Sequence, residues 1–364
     1  MKINEIISYL ERLAPIGSQE SYDNSGLLVG NKNDEVENVL LSLDCIEATV
    51  EEAIRKNCQL IIAHHPIVFK GLRKLNGTDY VQRTVLKAIK NDIAIYAIHT
   101  NLDNYRWGVN HEIGRRLKLE NLKVLSPKRG VLNKLVVFVP IDHAERVRKA
   151  MFSAGAGHIG DYREASFNVE GIGTFMPVEG AHPFEGKIDQ RSEVAEVKIE
   201  VMVSSHLLDR VVGAMKVTHP YEEVAFDIYA LENENPYEGS GMVGDLITEM
   251  SEEDFLSEVK RTFNCGVIRH TRFLKKPIKR VAFCGGAGSF LLSNAKRSGA
   301  DIFITGDYKY HEFFDAEDQI IIADIGHFES EQYTSELLAD ILKKNFSTFA
   351  VHLTEVNTNP INYF

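Results

Sequence analysis

Along the first third of the chain, apolar positions switch repeatedly between a helical and a strand period. MKINEIISYLERLAP is amphipathic and predicts a helix over 3–13 that ends near Pro15. SYDNSGLLVG (21–30) is turn-rich, with Asp, Asn and Gly supplying turn conformations. Strands are predicted over 39–43, 59–63 and 93–98, and helices over 47–56 and 79–90. Strands alternating with helices of this length predict parallel βαβ units.

The plan recurs near the end of the chain. RVAFCGG (280–286) reads as a strand entering a Gly-rich turn, GSFLLSNAKRSG (288–299) as a helix with a Gly stop, and ADIFITG (300–306) and IIIADIG (320–326) as buried strands. The repeat is one of element order more than of identity, and it predicts two similar α/β lobes facing each other. Between them the pattern changes. Strand, helix, strands at EASFNVEG and GTFMPVEG, a strand at AEVKIEVMVSS, a helix at HLLDRVVGAMKVTHP and a strand at VAFDIYALE form a ferredoxin-like order. In the second of these segments, glycines from Gly171 onward fit a tight β-turn. Polar, Pro- and Gly-rich sequence at 232–241 marks the exit from this insert. The reading is an α/β chain with a split core: a first lobe over 1–128, an inserted ferredoxin-like α+β domain over 129–238 and a second lobe over 239–364.

Composition narrows the function classes. The net charge of −11 argues against nonspecific attraction to nucleic acid, though it leaves room for a local basic pocket for a small phosphate-bearing substrate. No stretch approaches the ~20 apolar residues of a membrane span, and the N-terminus lacks the apolar region of a secretory signal, so a cytoplasmic location is expected. Cys45, Cys58, Cys265 and Cys284 stand far apart without a CxxC pair, which favours four buried thiols over a disulfide framework or a thiolate metal site. Any metal must therefore be held by His and carboxylates.

Three segments supply them. IIAHHP (61–66) places His64 and His65 directly after an apolar strand, where ligands bind in open α/β sheets. AIHTNLDN (97–104) ends another strand, with Asp103 as an oxygen ligand and His99 as a group that orients a ligand. In DIGHFESE, His327 and Glu331 are four apart, one turn on the same helical face, where the carboxylate is able to bridge two ions. Each segment also has a plain reading, as a capped turn for the first two and a solvated i,i+4 pair for the third. GDYKYHEF (306–313) holds the place in the second lobe that HHP holds in the first, making Asp307, Lys309 and His311 candidates for substrate lining or ligand support, or alternatively a surface ion pair and turn.

Taken together, DNSGLLVG, IIAHHP, HTNLDN, GDYKYHEF and DIGHFESE resemble the GTP cyclohydrolase I type 2 family, the Nif-three-like proteins, over the two outer segments. The resemblance implies a dinuclear metal site of His64, His65, Asp103, His327 and Glu331, and a toroidal homohexamer. It also implies that the insert is PII/CutA-like, notably at GTFMPVEGAHP (173–183) and THPYEEVAFDIY (218–229). Two divalent ions (Zn, Fe or Mn) held by such ligands suit hydrolysis by a metal-bound hydroxide. On this expectation His65 and Asp103 hold one ion, His64 and His327 the other, and Glu331 bridges. A metal-binding regulatory or scaffold protein, with the insert mediating assembly or sensing, is the alternative.

Overall fold

The computed structural model describes residues 1–364. The chain forms two compact units, one of residues 1–127 and 236–364, the other of 128–235. In chain order the first segment contributes α1 (Ile3–Leu13), β1 (Gly26–Val29), β2 (Asn38–Ser42), α2 (Glu47–Arg55), β3 (Leu60–Ala63), α3 (Tyr80–Lys90), β4 (Ala94–Ala97), α4 (Thr100–Asn104), α5 (Val109–Arg116) and β5 (Glu120–Lys128). The insert follows with β6 (Leu132–Pro140), α6 (Ile141–Ser153), β7 (Ser166–Phe175), β8 (Ser192–Ser204), α7 (Leu208–Thr218) and β9 (Phe226–Leu231). The last segment adds β10 (Asn235–Met250), α8 (Glu252–Thr262), β11 (Arg269–His270), β12 (Ile278–Ala287), α9 (Leu292–Arg297), β13 (Ile302–Gly306), β14 (Ile321–Asp324), α10 (His327–Glu331), α11 (Thr334–Asn345) and β15 (Ala350–Leu353).

Two sheets build the larger unit. The first has the order β1-β4-β3-β2-β15, in which β2, β3, β4 and β15 run parallel and β1 is antiparallel at the edge. The second has the order β11-β14-β13-β12-β10-β5, with β12, β13 and β14 parallel and β11 and β10 antiparallel to their neighbours. The triplets β2-β3-β4 and β12-β13-β14 are the repeat expected from the element order. Their strands are short apolar runs because helices cover both faces of a parallel sheet. Every residue of β3 and of β14 is buried. Helix α1 turns Ile3, Ile6, Ile7 and Leu10 onto one core, which also takes in Leu60, Ile62, Phe283 and Ile304 from the two sheets.

The smaller unit is one antiparallel sheet, β7-β8-β6-β9, with α6 and α7 packed on one face through Val147, Met151, Val211 and Met215. This βαββαβ arrangement is the ferredoxin-like plan.

Several elements differ from the expectation. The predicted strands on either side of Gly171 are one strand, β7, in which Gly171 pairs with Glu196 instead of turning the chain. The exit segment 232–241 lies largely in a long strand, because β10 begins at Asn235. The helix expected over 288–299 is a 3₁₀ turn, Ser289–Leu291, followed by the short α9. The helix after His327 breaks into α10 and α11. At Tyr333 ψ is 0° where a helix needs about −42°. The side chains of Gln332 and Tyr333 there donate to the carbonyls of Phe263 and Thr262.

Candidate metal centre

Each candidate ligand follows the C-terminal end of a parallel strand, where the sheet opens and the backbone is free to leave the plane. His64 and His65 follow β3 and still hydrogen-bond back to the Ser42 and Leu43 carbonyls at 3.1 and 2.9 Å. Asp103 lies on α4 beyond β4, and His327 and Glu331 are the first and last residues of α10 beyond β14. The two lobes therefore present their strand ends to one shared cavity of about 930 Å³.

Four histidines meet there with a common arrangement. His64 Nδ1 lies 2.8 Å from the Ile98 carbonyl, His65 Nδ1 2.7 Å from Asp44 Oδ1, His99 Nδ1 2.8 Å from Asp23 Oδ1 and His327 Nδ1 2.7 Å from Asp307 Oδ2. In each case the oxygen fixes the ring and favours the tautomer with Nδ1 protonated, leaving Nε2 as the free donor atom. The Nε2 atoms of His65 and His327 are 3.3 Å apart, and Glu331 Oε2 lies 3.0 and 3.1 Å from them. His64 Nε2 is 3.5 Å from Asp103 Oδ1 and 3.9 Å from Glu331 Oε2.

The charges in the cavity follow from burial and neighbours. Burial pushes His64 down to about 4. Burial also opposes charge on His65, but Asp44 and Glu331 outweigh it and raise the ring to about 9. Likewise Glu331 and Asp307 overcome burial at His327 and raise it to about 11. Asp103 is raised well above the usual carboxylate range by burial and by the charge of Glu331. Despite its burial, Glu331 is held well below that range by His327 and the other two histidines.

The donor set fits divalent cations. His64 Nε2 and Asp103 Oδ1 are buried without any hydrogen-bond partner, a costly state for polar atoms unless a cation sits between them. Facing nitrogens and carboxylate oxygens also match first-row divalent ions in ligand type. Ligand atoms converge in three groups: His65, His327 and Glu331; His64, Asp103 and Glu331; and His64, His65 and His99. Glu331 belongs to the first two. By proximity His65 stands with His327 and His64 with Asp103, whereas the sequence expectation places His65 with Asp103 and His64 with His327.

A glycine makes room for Glu331. Gly286, at the end of the strand RVAFCGG, has φ of +61°, and a Cβ there would stand 2.4 Å from Glu331 Oε1. Its N–H donates to Ser330 Oγ at 3.0 Å, tying the turn to α10.

Of the supporting residues expected, Asp307 holds His327, and His99 belongs to the cavity wall. Lys309 and His311 do not line the cavity. Lys309 is exposed and starts the 3₁₀ turn over Tyr310–Ala316, where its N–H donates to Glu312 at 3.2 Å, and His311 packs against Tyr310 and Phe314. Sequence reasoning missed Asp23, Asp44 and Thr358. Asp23 accepts from His99 and from the Thr100 N–H at 3.0 Å, and these bonds hold it well below the usual range despite burial. Thr358 donates to Asp44 Oδ2 at 2.7 Å. Asp44 follows β2 as His64 follows β3, so the strand-exit rule that found the histidines points to it too.

A sequence model of one family, described as Duf34/NIF3 (NGG1p interacting factor 3), matches residues 1–360. The chain belongs to this family. Among its relatives is a GTP cyclohydrolase 1 type 2 homolog of Halalkalibacterium halodurans, 40% identical over 98% of both chains. One of the same description from Bacillus subtilis is 38% identical over 99% of this chain and 98% of that one. The fold is similar to that of a Bacillus cereus protein related to NIF3, with a TM-score of 0.86 and 38% identity over 100% of this chain and 99% of that one. A Staphylococcus aureus protein of solved structure superposes with a TM-score of 0.79 at 30% identity, over 100% and 99% of the two chains. The residues able to hold a metal thus sit in a Duf34/NIF3 fold, in which no helix is long and apolar enough to cross a membrane.

Proposed function

We propose that the chain is a cytoplasmic hydrolase that holds two divalent ions, one through His64 and Asp103, the other through His65 and His327, with Glu331 shared between them. The observation that carries this reading is the pair of partnerless buried atoms, His64 Nε2 and Asp103 Oδ1, beside the facing Nε2 atoms of His65 and His327. Bound ions of this kind polarise the bond under attack and lower the pKa of water toward neutrality. The protein's own part is orientation. Asp44, Asp307 and the Ile98 carbonyl fix the three imidazoles, and Glu331 lies between the two ligand groups.

The walls indicate what enters. Tyr22, Phe69, Tyr80, Phe290 and Phe328 supply aromatic surface, while no Lys or Arg lines the cavity. A flat apolar group therefore finds contacts at the walls, and any phosphate is left to the ions alone. GTP, the substrate in the relatives' name, carries a triphosphate that no Lys or Arg side chain of this cavity meets.

The test is metal analysis and turnover on the same samples, using GTP, p-nitrophenyl phosphate and a neutral aromatic ester. Wild-type protein is expected to hold two ions per chain and to turn over the ester or the monophosphate faster than GTP. Asp103→Asn and Glu331→Gln should lower turnover by about 10²-fold or more, in line with the loss of one preorganised electrostatic group. Full hydrolysis by chelator-stripped protein would overturn the reading. Ion binding with no turnover on any substrate would favour the regulatory or scaffold role.

A further inference from the structure

The two segments that stand out in the insert, GTFMPVEGAHP and THPYEEVAFDIY, come together around one cavity of about 700 Å³ that lies wholly within residues 138–225. Its floor is the helix-free face of the sheet, with Phe138, Glu196 and Lys198, and its rim is the chain after β7 and the turn after α7. That volume is within the ordinary range for small-molecule sites.

Glu196 is the unusual residue. It is only 8% exposed, and its carboxylate pairs with no Lys or Arg. Its one hydrogen bond is from Tyr221, whose hydroxyl donates to Oε1 at 2.9 Å. The other oxygen faces Gly173, where a Cβ would stand 2.1 Å from Oε2, so the glycine leaves the space that the carboxylate fills. Buried carboxylates are ordinarily paired with a cation, because desolvation is otherwise uncompensated.

Aromatic rings cluster around Tyr221, the residue that holds this carboxylate. The centroids of Phe175 and Phe184 lie 6.0 and 6.2 Å from that of Tyr221. The backbone N–H of Tyr221 donates to His219 Nδ1 at 3.1 Å, and His219 Nε2 donates to the Phe138 carbonyl at 3.0 Å, which anchors the ring. Glu170, Glu222 and Glu223 add negative charge to the lining. The single cationic residue, Lys198, is engaged by Glu200 at 2.6 Å. Aromatic faces around an unpaired carboxylate favour an ammonium group by cation–π attraction and by charge.

We propose that this cavity binds a small organic cation, an ammonium group on an apolar body, with the ammonium at Glu196 among Phe175, Phe184 and Tyr221.

The experiment is isothermal titration of the full-length protein with benzyltrimethylammonium, using benzyl alcohol and benzoate as neutral and anionic counterparts. The cation is expected to bind at least tenfold more tightly than either. Glu196→Gln should weaken it by tenfold or more. Phe184→Ala, at a half-exposed position outside the unit's core, should weaken it several-fold with an unchanged circular dichroism spectrum. Equal affinity for the three probes, no binding by the wild type, or binding unaltered in both variants overturns the proposal. So does concentration-dependent self-association abolished by Phe184→Ala without cation binding, which assigns the surface to a second copy of the chain.

Discussion

At the scale of single residues, the candidate metal centre depends on atoms kept free by their neighbours. Gly286 is the clearest case, since only a residue without Cβ leaves Glu331 in place at a φ of +61°. Gly286→Ala is expected to lower metal affinity by about 10–100-fold, the range seen when ligand support is lost, while the fold persists. Competition with a chromogenic chelator measures it. His219 sets a pH dependence in the smaller unit. It is buried, one ring nitrogen donates to Phe138 and the other accepts from Tyr221, so only the neutral ring satisfies both bonds. Burial accordingly lowers its pKa below the ordinary value. The unfolded chain therefore binds the proton more readily, and the stability that His219 contributes is complete above about 6.5 and declines as pH falls through that value. Urea midpoints between pH 7.5 and 5.5 should fall more for the wild type than for His219→Gln.

At the scale of elements, the strands that carry the ligands are the most buried parts of the chain. Ile62 is fully buried in β3, two residues before His64, and packs in the core shared by both sheets. Ile62→Ala is expected to cost about 2–5 kcal/mol, checked by denaturant unfolding. The sequence made these strands legible because a parallel strand covered on both faces is a continuous apolar run with a polar residue at its exit. IIAHHP and IIIADIGH are such runs, and the His327–Glu331 spacing is legible because helical geometry puts both on one face. Less legible were β7 and β10. Glycines and a proline in them read as turns, yet Gly171 is extended within a ladder and Asn235 already begins a strand. Asp23 and Thr358 come from irregular segments, where no period links a residue to its partner. Which candidate ligand atoms lie nearest one another was likewise out of reach, because it depends on how the elements pack in space.

At the scale of the molecule, the larger unit is interrupted by the insert between β5 and β10, which are neighbours in one sheet. Gly239 near the start of β10 lies so close to β5 that a Cβ would stand 2.1 Å from the Ser126 carbonyl oxygen. Replacing 129–234 by a short turn is therefore expected to leave a folded protein that retains its metal affinity within about threefold, since its ligands and core all lie in that unit. Metal titration of the shortened chain checks this.

The position of β15 has a consequence for the order in which the protein is made. Residues 350–353 pair with 38–41 and complete the first sheet, and Thr358 then reaches Asp44. On the ribosome, His65 emerges 262 residues before His327, and this last strand follows later still. The insert, with all its sheet pairings local, is free to fold in the interval. Until α10 has emerged, a growing chain lacks two of the five candidate ligands, so on the proposed reading the choice of metal is deferred until that helix is made.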